Sequence, residues 1–278
     1  MNNLVLRILT GLAGVGVILG SIFLSEWAFV IVFMLIGTAT HFEYMRTIGH
    51  LSIKKPLFEI IYAIIVGLIF ILIQNNTFFD ARFILLFSGI TIVLLLGFLI
   101  AEVFYNRVNP FQHIGLNILG IFYIPMAFGS YINYGLSEDG MHTWFAVGML
   151  FMVWFNDSFA YFAGRLFGKR KLFERISPKK TWEGFWGGML MTIACSIILS
   201  MVFDDLTLLQ WMIWAIIVSL SATLGDLAES LLKRSIQIKD SGNILPGHGG
   251  FLDRFDGFVV AVPFSIAYLW VLNFFNLV

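Results

Sequence analysis

Residues 82–104 read RFILLFSGITIVLLLGFLIAEVF. No charged side chain stands between Arg82 and Glu102, and the apolar residues follow one another without strict alternation. A helix of about 20 such residues crosses the ~30 Å hydrocarbon layer of a bilayer. Lipid offers no partner for a backbone N–H or C=O, so a spanning segment is either a helix or a strand of a closed barrel. The missing period of two selects the helix. The rest of the chain is of the same kind. Of its 278 residues, 59% are hydrophobic and 12% charged, against ~25% charged in a soluble protein. Phe alone occurs 30 times. A soluble globule of this size would expose large apolar patches. An ordinary cytosolic domain, a disordered chain and a secreted disulfide scaffold are therefore excluded. The single cysteine, Cys195, lies in an apolar run and reads as a packing residue.

Working outward, nine stretches are long enough, or nearly so, to span: 4–24, 27–47, 57–74, 82–104, 111–134, 142–164, 187–203, 208–232 and 257–277. The expected fold is an all-α polytopic membrane protein of about nine helices. The first stretch has no small-residue cleavage site before Glu26 and reads as a retained helix rather than a signal peptide. With the N-terminus in the cytoplasm and alternating spans, every Lys and Arg except Arg82 falls on the cytoplasmic side. The outer loops then carry Glu26, Asp80, Glu138, Asp139, Asp204 and Asp205. This is the positive-inside pattern, and it predicts an external C-terminus. Net charge is zero and says nothing about partners. Two cytoplasmic loops, 165–186 and 233–256, hold most of the basic residues. Attraction to anionic lipid accounts for their Lys and Arg. It does not account for the Gly, Pro, Asp and His between them. No internal repeat is evident, which weighs against a transporter built from inverted repeats.

Ser219, Thr223, Asp226, Ser230 and Lys233 follow three-to-four spacing and make a polar stripe, with Glu229 alongside, on an apolar helix. A carboxylate at that depth is costly unless paired; a structural pair of Asp226 with Lys233 or Arg254 is the plainer reading, and a cation or proton site the favoured one. Asp253 and Asp256 stand three residues apart where the last span begins. Either can cap a helix. Together with Asp226 they suit a hard cation, and oxygen ligands without a Cys/His cluster point to Mg²⁺, with room for a second cation. Pro246-Gly247-His248-Gly249-Gly250 lies between these acids, and its glycines let backbone N–H groups approach an anion. Ser177, Lys179, Lys180 and Thr181 supply further phosphate contacts, and Trp182 can sit at headgroup level or stack on a base. Asn156 and Asp157 interrupt the sixth span, either as substrate ligands or as interhelical hydrogen-bonding groups. The residues describe a membrane enzyme handling phosphorylated, Mg²⁺-bound substrates at the inner leaflet.

The stretch Ser230–Asp256, SLLKRSIQIKDSGNILPGHGGFLDRFD, closely resembles the signature of the phosphatidate cytidylyltransferases, or CDP-diacylglycerol synthases. The matching positions are Ser230, Lys233, Arg234, Lys239, Asp240, Gly242, Pro246, His248, Gly249, Gly250, Asp253, Arg254 and Asp256. The pieces NDSFAYFAGRLFGKRK and SPKKTWEG are also similar to the family, so the likeness covers about 154–260. It implies transfer of CMP from CTP to phosphatidic acid with Mg²⁺, metal ligands at Asp226 and Asp253, and a homodimer in the membrane. Lys233, Arg234, Lys239, Asp240, His248 and Arg254 are then the catalytic candidates, with His248 either orienting a phosphate or donating a proton. Asp256 joins the metal set. Asn156, Asp157, Ser177, Lys179, Lys180, Thr181, Gly249 and Gly250 are expected to bind substrate. The chain reads as one membrane domain, 1–278, with about five spans in 1–141 and the catalytic helices in 142–278. The expected setting is the bacterial inner membrane, with membrane lipids as surroundings, the site facing the cytoplasm and no nucleic acid partner. The competing readings are a CTP-dependent lipid kinase, another CDP-lipid synthase and an anion transporter.

Overall fold

The computed structural model of the chain describes residues 3–49, 56–73, 80–104, 109–137, 140–238, 241–242 and 249–277. Nine helices occur among them, α1 (Asn3–Leu24), α2 (Glu26–Gly49), α3 (Pro56–Ile73), α4 (Ala81–Val103), α5 (Pro110–Gly135), α6 (Thr143–Phe167), α7 (Trp182–Ser200), α8 (Leu208–Ser235) and α9 (Leu252–Phe274). Two short antiparallel hairpins join them, β1 (Leu136–Ser137) with β2 (Gly140–Met141), and β3 (Lys171–Phe173) with β4 (Ser177–Thr181). Seven of the helices, α2 and α4 to α9, are long and apolar enough to cross a bilayer. In α1 the described apolar part is the shorter Leu9–Leu24. The chain is an all-α polytopic membrane protein.

It folds as two compact units, one comprising Met1–Met141 with Asp240–Arg254 and the other His142–Lys239 with Phe255–Val278. In the first unit α5 packs on α2, α3 and α4. The rings of Phe29, Phe33 and Tyr131 form its aromatic core, with centroids 4.7–5.5 Å apart. Tyr44 lies against Gly120, where a side chain would overlap its ring, and its hydroxyl donates to the Leu116 carbonyl at 3.0 Å. Helix α4 is only 6% buried, so the long apolar run that decides the fold is turned outward. Its start is set by Asp80, whose Oδ1 accepts from the N–H groups of Arg82 and Phe83 at 2.9 and 3.1 Å.

In the second unit small residues bring helices together. A Cβ at Gly187 would meet that of Ala163, and one at Gly188 would meet the Asn156 carbonyl. Helix α7 thereby lies close along α6. Gly225 on α8 accommodates the Asp256 carbonyl and Val260 of α9, while Gly257 faces Ala222. Close backbone approach at small residues is how helices gain contact in lipid, where burial gives no net drive. Trp144, Phe145, Trp211 and Trp214 cluster at the start of α6, with Phe145 stacked on Trp214 at 5.7 Å. Two boundaries depart from expectation, the starts of α7 and of α9, the latter lying at Leu252 rather than at 257. Helix α7 begins at Trp182 rather than at 187, because Thr181 Oγ1 caps it by accepting the Gly184 N–H at 3.2 Å. The first turn carries Glu183 and Gly184, which the apolar pattern does not register.

Candidate active site

The basic hairpin β3–β4 is strapped to α7. The Glu183 carboxylate accepts the N–H groups of Lys169 at 3.0 Å and Arg170 at 3.2 Å, and the Trp182 N–H donates to the Arg170 carbonyl at 2.9 Å. Gly164 and Gly168 leave room for the Thr181 side chain, which a Cβ at either position would crowd. Strand alternation then divides the two lysines of β4. Lys179 is exposed, whereas Lys180 is half-buried and its ammonium sits 2.5 Å from Asp226 Oδ2. Ser177 is half-buried at the start of the strand.

Asp226 also takes a hydrogen bond from Ser230 Oγ at 3.3 Å. Lys233, one of the two structural partners weighed for Asp226, pairs with Glu229 at 2.5 Å; Glu229 is 1% exposed. The physical reason is register, since Glu229 and Lys233 stand one turn apart on the same helix. Asp256 on α9 is buried, accepts the Gly257 N–H at 2.7 Å and lies within electrostatic range of Asp226, Glu229 and Asp157. Asn156 is buried, accepts from Ser219 Oγ at 2.6 Å and donates to Asp157 at 3.4 Å. Three helices, α6, α8 and α9, thus bring carboxylates together beside one strand bearing Lys180. The lysine already seated on Asp226 shows that this carboxylate takes a cation. An all-oxygen donor set also fits Mg²⁺ by hardness.

In the first unit Asp253, in the opening turn of α9, accepts the N–H groups of Ser241 and Gly250, each at 3.2 Å. Gly249 has φ of 85°, in the left-handed region that glycine enters without strain. Arg254 is exposed. Arg234, at the end of α8 in the second unit, is exposed as well and donates to the Ile238 carbonyl at 3.3 Å. Lys239, Asp240 and His248 lie outside the described residues. Asp253 belongs to the first unit, and Asp226 and Asp256 to the second. Among the described residues no three or more His, Cys, Asp or Glu side chains converge in a geometry that would hold a metal.

Two residues escaped the reading of the sequence. Glu183 stood within a quoted motif without a role, and it proves to tie the hairpin to α7. Glu43 on α2 was not considered, yet its Oε2 accepts the Leu252 N–H at 2.9 Å. A glutamate inside the apolar stretch 27–47 was the available signal, because an ionisable group at that depth is costly without a purpose.

The Cytidylyltransferase family matches residues 5–272 of the chain. A phosphatidate cytidylyltransferase of Bacillus subtilis (strain 168) is 35% identical over 264 residues, covering 93% of this chain and 94% of that protein. The phosphatidate cytidylyltransferase of Staphylococcus saprophyticus is 41% identical over 160 residues, covering 57% of this chain and 59% of its own length. That of Staphylococcus aureus (strain COL) is 39% identical over 163 residues, with the same coverage of 57% and 59%.

Proposed function

The chain belongs to the cytidylyltransferase family, and from that premise we propose that it transfers the cytidylyl group of CTP to phosphatidate, giving CDP-diacylglycerol and pyrophosphate for phospholipid synthesis. The observation that carries the reading is the seating of Lys180, from a strapped basic hairpin, on Asp226 of an apolar helix that also bears Glu229 and Lys233. Topology anchors need no such arrangement.

The nucleophile is an oxygen of the phosphatidate phosphomonoester. The second pKa of such a group is about 6, so it is largely ionised at neutral pH and needs no strong general base. This oxygen forms a bond to the α-phosphorus of CTP. The bond from that phosphorus to the bridging oxygen of the β-phosphate breaks, and pyrophosphate leaves with the electron pair. The barrier is the approach of one anion to another, so the protein's work is neutralisation and in-line positioning. Lys180, Lys233, Arg234 and Arg254 supply positive charge, and Lys179 extends it on the exposed face of β4. Thr181 and Ser177 offer hydroxyl protons, while the Gly249 and Gly250 backbone approaches a phosphate. Asn156 and Asp157 on α6 orient substrate groups. Lys239, Asp240 and His248 are assigned to the same site by the motif alone. Asp226, Asp253 and Asp256 are the residues that, by the motif alone, would hold Mg²⁺ and a second cation. Held there, Mg²⁺ would neutralise phosphate charge and polarise the reacting phosphoryl group as a Lewis acid.

Nine spans, a cytoplasmic N-terminus and an external C-terminus complete the proposal. The distribution of Lys and Arg supports it, as do nine helices among the described residues, seven of them long and apolar enough to cross. The site then faces the cytoplasm at the bacterial inner membrane, and the enzyme works as a homodimer. The decisive test is incubation of purified protein with phosphatidate, Mg²⁺ and CTP labelled either at the α- or at the γ-phosphate. Label from the α position entering a CDP-lipid is expected. Label from the γ position entering lipid would replace the proposal with a lipid kinase, and solute flux without lipid labelling would replace it with a transporter.

A further inference from the structure

Glu43 plays no part in the reaction just described. Its residue is 1% exposed, in the interior of an apolar helix. An ionised carboxylate there is costly unless its oxygens are well engaged. Its Oε2 accepts the Leu252 N–H at 2.9 Å, one of the donors that the start of α9 leaves without an intrahelical partner. The two glycines beside it gain a physical reason. A Cβ at Gly250 would fall on Glu43 Oε2 and Ser241 Oγ, and one at Gly242 on Glu43 Oε1. One turn along α2, Thr47 Oγ1 donates to the Ser241 carbonyl at 3.3 Å. Helix α2 therefore holds the chain at two places, Ser241–Gly242 and Gly250–Leu252. Asp253 ties the same two places, because it accepts the N–H groups of both Ser241 and Gly250.

A local cap needs no carboxylate from a helix about two hundred residues away, and Asp253 already accepts the Gly250 N–H at this helix start. What the distant carboxylate adds is a fixed position for both stems at once. We propose that Glu43 is a positioning residue for cytidylyl transfer, clamping the stems of the signature segment so that Asp253 presents its carboxylate at a set place. The proposal rests on the functional reading above.

The test compares full-length wild type with Glu43→Ala and Glu43→Gln by amide hydrogen exchange across 241–252, thermal midpoint, kcat and the Mg²⁺ concentration giving half-maximal rate. In Glu43→Ala, exchange at Ser241, Gly250 and Leu252 should quicken, kcat should fall about 10²-fold as a small misplacement does, and half-maximal Mg²⁺ should rise. Glu43→Gln retains a carbonyl acceptor for the Leu252 N–H, so it should lie between the two in every readout. It decides the matter if the alanine variant does not fold. Unchanged exchange in Glu43→Ala, or in Glu43→Gln where the alanine variant does not fold, would remove the clamp. Faster exchange with wild-type kcat and Mg²⁺ dependence would leave Glu43 a purely structural group and overturn the proposal. Should wild type make no CDP-lipid, the functional reading fails, while the exchange comparison still tests whether Glu43 orders the segment.

Discussion

In the first unit Glu43 and Asp253 are engaged by backbone N–H groups, those of Leu252, Ser241 and Gly250. In the second, Asp226 and Glu229 are engaged by the ammonium groups of Lys180 and Lys233. Both sets are acidic and lie on helices that read as spans, yet the physics differs. A backbone donor cannot leave without moving the chain, so the first arrangement fixes a conformation. A lysine can swing away on its flexible stem, so the second arrangement holds charge that another cation or a phosphate can exchange for. The first cluster is suited to placing a segment and the second to handling a charged substrate.

The largest effects should come from removing charge while keeping shape. Asp226→Asn and Asp253→Asn should each lower CDP-diacylglycerol formation by more than about 10²-fold, the scale of losing one essential electrostatic group. The Asp253 variant sharpens the comparison, because the Asn carbonyl can still accept the Ser241 and Gly250 N–H groups that Asp253 holds. A large loss there therefore reports charge and not these backbone contacts. Near-normal turnover at limiting Mg²⁺ would confine Asp253 to its backbone contacts and withdraw it from the metal set. Asp256→Asn should be damaging as well, to a smaller degree.

Lys180→Gln comes next, with kcat expected to fall about 10²-fold. Lys179→Gln, on the exposed face of the same strand, should lose much less. Equal and mild effects would mean that the exchangeable charge is no more than a membrane anchor. Lys180→Gln also leaves Asp226 without its ammonium, so a lower thermal midpoint with unchanged kcat would mark the pair as purely structural.

The helices were legible because apolar runs in lipid leave the backbone few alternatives. Asp226, Asp253 and Asp256 were legible because charge at membrane depth stands out against such runs. The division of labour between Lys179 and Lys180 was not, since it depends on strand register, which adjacent identical residues conceal. The partner of Asp226 also escaped, because Lys180 reaches it from a hairpin distant in sequence, whereas Lys233 lies on the same helix. Glu43 was hidden for the same reason, its contact spanning 209 residues along the chain. Long-range pairing is the information that local spacing does not contain.

A further substitution tests how tightly the second cluster depends on helix spacing. In Gly188→Ala the added Cβ would stand 2.8 Å from the Asn156 carbonyl and 3.0 Å from Ala160 Cβ. Backbone cannot yield as a flexible side chain does, so α6 and α7 must separate slightly. Overpacking of this kind costs roughly 1–3 kcal/mol. The thermal midpoint in detergent should fall, and turnover should fall with it, because Asn156 carries the Ser219 contact. A lowered midpoint with wild-type turnover would show that Asn156 is held independently of this crossing.

The smallest effect is expected at the other end of α8. Thr207 and Gln210 form a reciprocal capping box there, the Thr207 N–H donating to Gln210 Oε1 at 2.7 Å and the Gln210 N–H to Thr207 Oγ1 at 3.4 Å. Asp226 lies far along the same helix, roughly 28 Å away at the α-helical rise. Thr207→Ala removes the cap but touches neither carboxylates nor lysines. It should lower stability by about 1 kcal/mol. The lost stability belongs to the first turn, where fraying exposes donors without shifting later turns. Turnover at saturating CTP should therefore stay at the wild-type value while the thermal midpoint drops by a few degrees. If turnover falls as well, the carboxylates of α8 respond to the whole helix and not to their local partners, and the contrast between a fixed and an exchangeable cluster would have to be redrawn as one of helix stability.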